Sequence, residues 1–262
     1  MKRSIAIAGN MGTGKSTLVE FLHRTYGVAP FYEPNDENPY LADFYKDMKR
    51  WAFQSQLYFL SNKFRLHQEL DRQSGVVALD RTIFEDAEIF ATALHQMRKI
   101  SKRDWETYRG FYQAILDAIR PPDLMIYLRC SMRTLRQRIH LRGRKMEQDV
   151  PLAYLKRLDR LYEGWIETYE MSEVLILETE RLDYIHDLVH RLDGMERIES
   201  VLPEEVGKPN CYCIKFSRQH PSNCLLRLVM RIMIISTILS LVSEKFSTSR
   251  KFWRSTAAHW LP

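Results

Sequence analysis

Nine residues near the amino terminus, GNMGTGKST, carry the spacing G-x-x-x-x-G-K-[ST] and with it the chemistry of a phosphate cradle. Glycines at such positions let the backbone curl so that successive N–H groups point at phosphate oxygens. The first turn of a following helix adds its positive end. The nucleotide-binding set is then Gly9, Asn10, Met11, Gly12, Thr13, Gly14, Lys15, Ser16 and Thr17. Lys15 is placed to bridge β- and γ-phosphates, and Ser16 to offer its hydroxyl to Mg2+.

Three further stretches carry charge where such chemistry needs it. LDRTIFED sets Asp80 and Arg81 side by side: an acid able to reach a metal or its water shell, and a cation able to span a transferring phosphoryl group. RQRIHLRGRKMEQ concentrates arginines. Arg138 and Arg142 are four apart and share a helix face, and Arg144 follows Gly143. Such a cluster repels itself unless an anion sits within it, which suits a cationic cover over a triphosphate. FYEPNDENPY packs three carboxylates and two prolines into residues 31–40. Glu33, just after an apolar run, is expected to face the phosphate loop. A carboxylate there repels a phosphate monoester but suits an alcohol, whose proton it can accept with a gain of about 10²–10⁴ in rate.

The elements around these residues alternate. SIAIAG, VAPFYEP, GVVALDR, DLMIYLRC and EVLILET read as short apolar strands. Helical patterns run through KSTLVEFLHRTY up to Gly27, from about 39 to 72, over 84–97 and 102–120, through SMRTLRQRIHLRGR behind a Ser131 cap, after Pro151, and near 183–193. The expected fold is α/β, a five-stranded parallel sheet with helices on both faces. Ligands of such sheets bind at the carboxyl ends of the strands, where the glycine loop, Glu33 and Asp80 all fall.

Composition sets the outer bounds. The 262 residues are 45% hydrophobic and 27% charged, enough for one good core. The net charge of +6 is lopsided. From Val206 onward nine Lys/Arg stand against one acid, Glu244, so the tail carries about +8 and the first 205 residues about −2. The basic balance therefore gives no reason to expect nucleic-acid binding by the body. Residues 1–205 read as one domain and 206–262 as a basic, partly apolar extension of unassigned role. Its cleanest apolar portion, Ile232–Val242, is half the length of a membrane span, and Arg227 and Arg231 interrupt what precedes it. Membrane contact by the tail is thus not the favoured reading. The four cysteines have no zinc-site spacing and read as unpaired thiols, and the amino terminus reads as a strand rather than a secretory signal, which points to a cytoplasmic body.

Taken together, GNMGTGKST, YEPNDENPYL with the FYKDMKRWAFQSQLYFL that follows, LDRTIFEDAEIFA and LRGRKMEQ resemble the deoxynucleoside kinases, most nearly their bacterial deoxyadenosine/deoxycytidine branch. The likeness covers about residues 3–195, in order and at family spacing. It implies a homodimeric P-loop NTPase-type kinase with an arginine-rich lid, moving the ATP γ-phosphate to a deoxynucleoside 5′-hydroxyl with Mg2+. It also implies roles. Glu33 contacts the 5′-hydroxyl, Tyr45 and Glu147 hold the sugar 3′-hydroxyl, and Gln56 pairs with the base edge, helped by Asp86 and Lys63. Asp80 and Arg81 stand beside the acceptor, Ser16 and Asp80 serve the metal, and Arg138, Arg142 and Arg144 form the lid. Glu33 and Asp80 both remain candidates for the proton. The sequence departs from the family in having Lys63 where relatives usually carry Arg, Thr82 for the common Ser, and a tail without counterpart. A thymidylate kinase shares the loop, an E-P after strand two and a D-R, and stays open as an alternative, as does a tethered P-loop protein without catalysis. Which base is preferred is not legible.

Overall fold

The computed structural model describes residues 3–32, 37–70, 72–144, 147, 150–180, 198 and 201. Glu33, the helix expected near 183–193 and the tail from Val206 lie outside the described residues. The chain divides into two units, Met1–Lys208 and Pro209–Pro262, and every described residue belongs to the first.

Five strands form one parallel sheet: β1 (Arg3–Ala8), β2 (Ala29–Phe31), β3 (Val76–Asp80), β4 (Leu124–Arg129) and β5 (Glu173–Glu178), in the order β2-β3-β1-β4-β5. All five fall on the expected apolar runs. Strand β1 is central, and the chain winds first toward β3 and β2, then toward β4 and β5. Its carboxyl end is therefore the point where the winding reverses, the place such sheets keep for a ligand. Ile7 lies in register with Asp80 and Ala8 with Tyr127, so the loop after β1 starts level with the acid that ends β3.

Helices α1 (Lys15–Tyr26), α2 (Leu41–Lys46), α3 (Met48–Leu70), α4 (Ile83–Glu85), α5 (Thr92–Gln96), α6 (Lys102–Leu116), α7 (Met132–Arg142) and α8 (Leu152–Glu167) supply the rest of the core. Ala6 and Ala8 of β1 and Met125 and Tyr127 of β4 share one cluster with buried residues of α2, α3, α5, α7 and α8. On α1, Leu18, Val19 and Leu22 are buried, and Gly27 ends the helix in the left-handed conformation, its N–H bonded to the His23 carbonyl. The Ser131 hydroxyl accepts from the Thr134 N–H and caps α7, as its sequence signalled. No helix among the described residues is long and apolar enough to cross a membrane.

Three expected helices differ from their pattern, each for a local reason. The stretch 39–72 breaks into α2 and α3 at Asp47, whose carboxylate accepts from the Arg50 N–H and so competes with helix continuation. The stretch 84–97 contains a π-helical segment, Asp86–Ala91, between α4 and α5. There the Thr92 hydroxyl donates to the Ala87 carbonyl five residues back. Helix α6 ends at Leu116, short of the expected Arg120, before Pro121 and Pro122.

Candidate active site

The glycine loop leaves β1 at Ala8 and enters α1 at Lys15. At two positions only glycine fits. A Cβ on Gly9 would stand 2.7 Å from the Leu128 carbonyl oxygen and 2.8 Å from Thr13 Oγ1, and Gly9 has φ 145°. A Cβ on Gly12, with φ 81°, would stand 3.0 Å from Ile139 and 3.1 Å from the Leu135 carbonyl oxygen. The first contact seats the loop on β4, the second beneath α7. The loop's own polar groups finish it. Asn10 Oδ1 accepts from the Met11 N–H at 2.8 Å while its amide donates to the Leu155 carbonyl at 3.2 Å. The Thr13 hydroxyl donates to the Asn10 carbonyl at 2.9 Å. Lys15 is buried and donates from Nζ to the carbonyls of Gly9 and Asn10, at 2.8 and 2.9 Å. Thr17 faces outward.

Ser16 donates to Asp80 Oδ2 at 2.5 Å, joining the loop to the end of β3. The next residue, Arg81, has φ 68°, a left-handed conformation costly for a residue with a side chain. Its N–H bonds to the Ile7 carbonyl at 3.1 Å, its carbonyl accepts from Lys63 Nζ at 2.9 Å, and its guanidinium lies 4.2 Å over the Phe90 ring. Lys63, 1% exposed, also lies 3.6 Å from Asp86, which the π-helical segment carries. Gln56 stands seven residues before Lys63 on α3 and is likewise buried, 4% exposed, with no hydrogen-bond partner for its Oε1 among the described residues. Tyr45 on α2 packs half-buried against the main core cluster, its ring 5.2 Å from that of Phe44.

The arginines of α7 and of the residues just past it divide their work. Arg138 donates to the Thr13 carbonyl at 3.3 Å and to the Thr179 carbonyl at 2.6 Å, tying the glycine loop to the end of β5. Arg144 donates to Glu147 at 3.2 Å, and Arg142 lies 3.9 Å from the other oxygen of that carboxylate. The expectation that this cluster repels itself without a bound anion is thus moderated, because Glu147 supplies negative charge from within the chain.

Two acids that brace these segments were missed by the sequence reading. Glu85 is 0% exposed and sits between the glycine loop and the Asp80–Arg81 pair. Its Oε1 accepts from the Gly9 N–H at 3.2 Å and the Tyr162 hydroxyl at 2.9 Å. Its Oε2 accepts from the N–H and hydroxyl of Thr82, at 2.8 and 3.2 Å. Burial pushes this carboxyl group above the usual range, while Arg81 and Lys15 pull it back. The signal was present: Thr82-x-x-Glu85 has capping-box spacing, and the box is formed. Glu180, just past β5, accepts from Ser131 N–H, Ser131 Oγ and Thr134 Oγ1, each at 2.7 Å, which holds its carboxyl group down at about 2. No spacing rule announces it.

A glycine cradle at the switch point of a parallel sheet, an acid–arginine pair one strand over and an arginine-bearing helix above them define a P-loop phosphotransferase. Comparison with known proteins narrows the class. The deoxynucleoside kinase family model matches residues 5–203. The chain is 34% identical to the deoxyadenosine/deoxycytidine kinase of Bacillus subtilis over 206 residues, 78% of this chain and 95% of that one. It is 34% identical to a deoxyguanosine kinase of Lactobacillus acidophilus over 213 residues, 78% and 92% of the two chains. A structure of deoxyadenosine kinase from M. mycoides with the products dCMP and a flexible dCDP superposes with a TM-score of 0.68 at 29% identity, covering 76% of this chain and all of that one. The chain belongs to the deoxynucleoside kinase family, and is an ATP-dependent phosphotransferase of that fold.

Proposed function

We propose that the protein transfers the γ-phosphate of MgATP to the 5′-hydroxyl of a deoxynucleoside, with deoxyadenosine or deoxycytidine favoured and deoxyguanosine as a further substrate. The observation that carries the nucleoside reading is Gln56, whose buried amide oxygen has no donor among the described residues. An unsatisfied buried acceptor costs about 1–3 kcal/mol, which a ligand N–H can relieve. The exocyclic amino groups of adenine and cytosine are such donors, as is the N1–H of guanine, so the preference for the first two rests on the family resemblance. Lys63, two helical turns from Gln56, and Asp86, 3.6 Å from Lys63, complete the base side in this reading. Tyr45 and Glu147 take the sugar 3′-hydroxyl.

In the transfer itself, the loop holds the phosphates by backbone N–H groups other than those of Gly9 and Met11, which Glu85 and Asn10 take, and Lys15 turns from the loop carbonyls to the β- and γ-phosphates. Arg81 spans the acceptor oxygen and the phosphoryl group, and Arg138, Arg142 and Arg144 neutralise charge from the lid side. Either Glu33 or Asp80 accepts the 5′-hydroxyl proton. The donors at the metal position are the Ser16 hydroxyl and the Asp80 carboxylate, hard oxygens in mutual contact. Among the described residues no group of three or more His, Cys, Asp or Glu could hold a metal by itself. That set fits Mg2+, which keeps waters and phosphate oxygens as most of its ligands. When bound, Mg2+ neutralises developing charge on the phosphates. The same reading takes the enzyme as a cytoplasmic homodimer without nucleic-acid partners, with residues 1–205 as its catalytic domain and 206–262 as an appendage.

The test is a substrate panel. Purified full-length protein with MgATP is expected to release ADP with deoxyadenosine or deoxycytidine. Turnover confined to dTMP, or none with any deoxynucleoside, overturns the assignment.

A further inference from the structure

We propose that Glu85 is the positioning residue that sets the acceptor side of the site against the phosphate cradle. The inference rests on the kinase reading for its kinetic consequence and on geometry for everything else.

Glu85 binds three segments with one carboxylate. Gly9 opens the glycine loop, Thr82 follows the Asp80–Arg81 pair, and Tyr162 belongs to α8, and all reach the same buried group. All four partner groups are donors, so the ionised carboxylate is the form that satisfies them together. Arg81, Lys15 and Lys63 surround it with positive charge, so the buried anion is compensated. The two backbone groups it holds are those that matter for alignment. The Gly9 peptide is gripped from both sides, by Glu85 at its N–H and by Lys15 at its carbonyl. The Thr82 N–H closes the peptide after Arg81, whose left-handed conformation must be held by its surroundings. The partners of Glu85 are Gly9, Thr82 and Tyr162, so it acts on the substrates through the loop and the acid–arginine pair. Its effect is on the distance between the loop that holds the donor and the pair that meets the acceptor. Misplacement by about 1 Å costs on the order of 10²-fold in rate, with little effect on how tightly either substrate binds.

The test uses the full chain with Glu85→Gln, in which an amide N–H replaces one accepting oxygen, and with Tyr162→Phe, which removes a single donor. Expected for Glu85→Gln is a fall in kcat of about 30-fold or more, with KM for ATP and for deoxynucleoside each within about 3-fold. Tyr162→Phe is expected to lower kcat by about 3- to 10-fold in the same pattern. Amide hydrogen exchange supplies a readout independent of turnover: Gly9 and Thr82 are protected in the wild type and both exchange about 10-fold faster in Glu85→Gln. A folded Glu85→Gln protein with kcat within about 2-fold of wild type, or one whose loss lies wholly in KM for ATP, overturns the proposal. If Glu85→Gln fails to fold, an unchanged kcat in Tyr162→Phe overturns it. A wild-type chain inactive on every deoxynucleoside sinks the kinase reading instead, and the exchange of Gly9 and Thr82 then decides the clamp: unaltered protection in both variants refutes it.

Discussion

Gly9 stands at a position that excludes any side chain. Its φ of 145° and the 2.7 Å approach of the Leu128 carbonyl to any added Cβ act together, and the obstruction is backbone rather than a flexible side chain. Gly9→Ala is expected to destabilise the fold by about 1–3 kcal/mol, read as a lower midpoint in chemical denaturation, and to abolish ATP binding by calorimetry. Unchanged affinity would show that the loop tolerates a methyl group there. The acid at 33 makes a different prediction, because its proposed role is in the reaction rather than in ATP binding. Glu33→Gln is expected to lower kcat by about 10²–10⁴ while ATP affinity stays nearly constant. Normal turnover would leave Asp80, which already contacts Ser16, as the base.

At the scale of elements, α7 carries Arg138 and Arg142, two of the three arginines proposed for the lid, and its start is fixed by two devices of unlike legibility. Ser131 is a cap that its sequence context announces. Glu180 is a carboxylate from beyond β5 that binds the same turn. A carboxyl group held at about 2 in the folded protein, against 4.5 ordinarily, contributes stability that is present above pH 4.5 and drains away as pH falls toward 2. The stability difference between wild type and Glu180→Gln is therefore expected to be constant near neutrality and to narrow on acidification below pH 4.5, measured by urea denaturation at each pH. A gap independent of pH would mean that Glu180 acts through packing alone. The π-helical segment Asp86–Ala91 shows the other way an element serves the site. A helix of regular period would rotate its residues differently about the axis. This one carries Asp86 to Lys63 and Phe90 beneath the Arg81 guanidinium.

For the whole molecule, the charge asymmetry divides a near-neutral body from a strongly basic tail. Each group named in the site precedes Val206, so deleting residues 206–262 is expected to leave kcat and KM for the deoxynucleoside within about 2-fold of the full chain. A folded truncate without activity would show that the tail contributes to the site.

The sequence by itself determined the parallel α/β sheet, the glycine loop and the acid–arginine pair at a strand end, because each is written in short-range spacing: two-residue and 3.6-residue periods, or a motif of nine consecutive residues. The capping box of Thr82 and Glu85 was legible in the same way, as a local cap. Only the tertiary structure decided what Glu85 does, since its other partners lie 76 and 77 residues away. The same holds for Arg138 reaching Thr13 across 125 residues and for Glu180 capping α7 from 49 residues downstream. A local pattern fixes which face of an element is buried. Which polar groups meet there depends on how distant elements pack, and burial then enforces their pairing because an unmet donor or charge in the interior is costly.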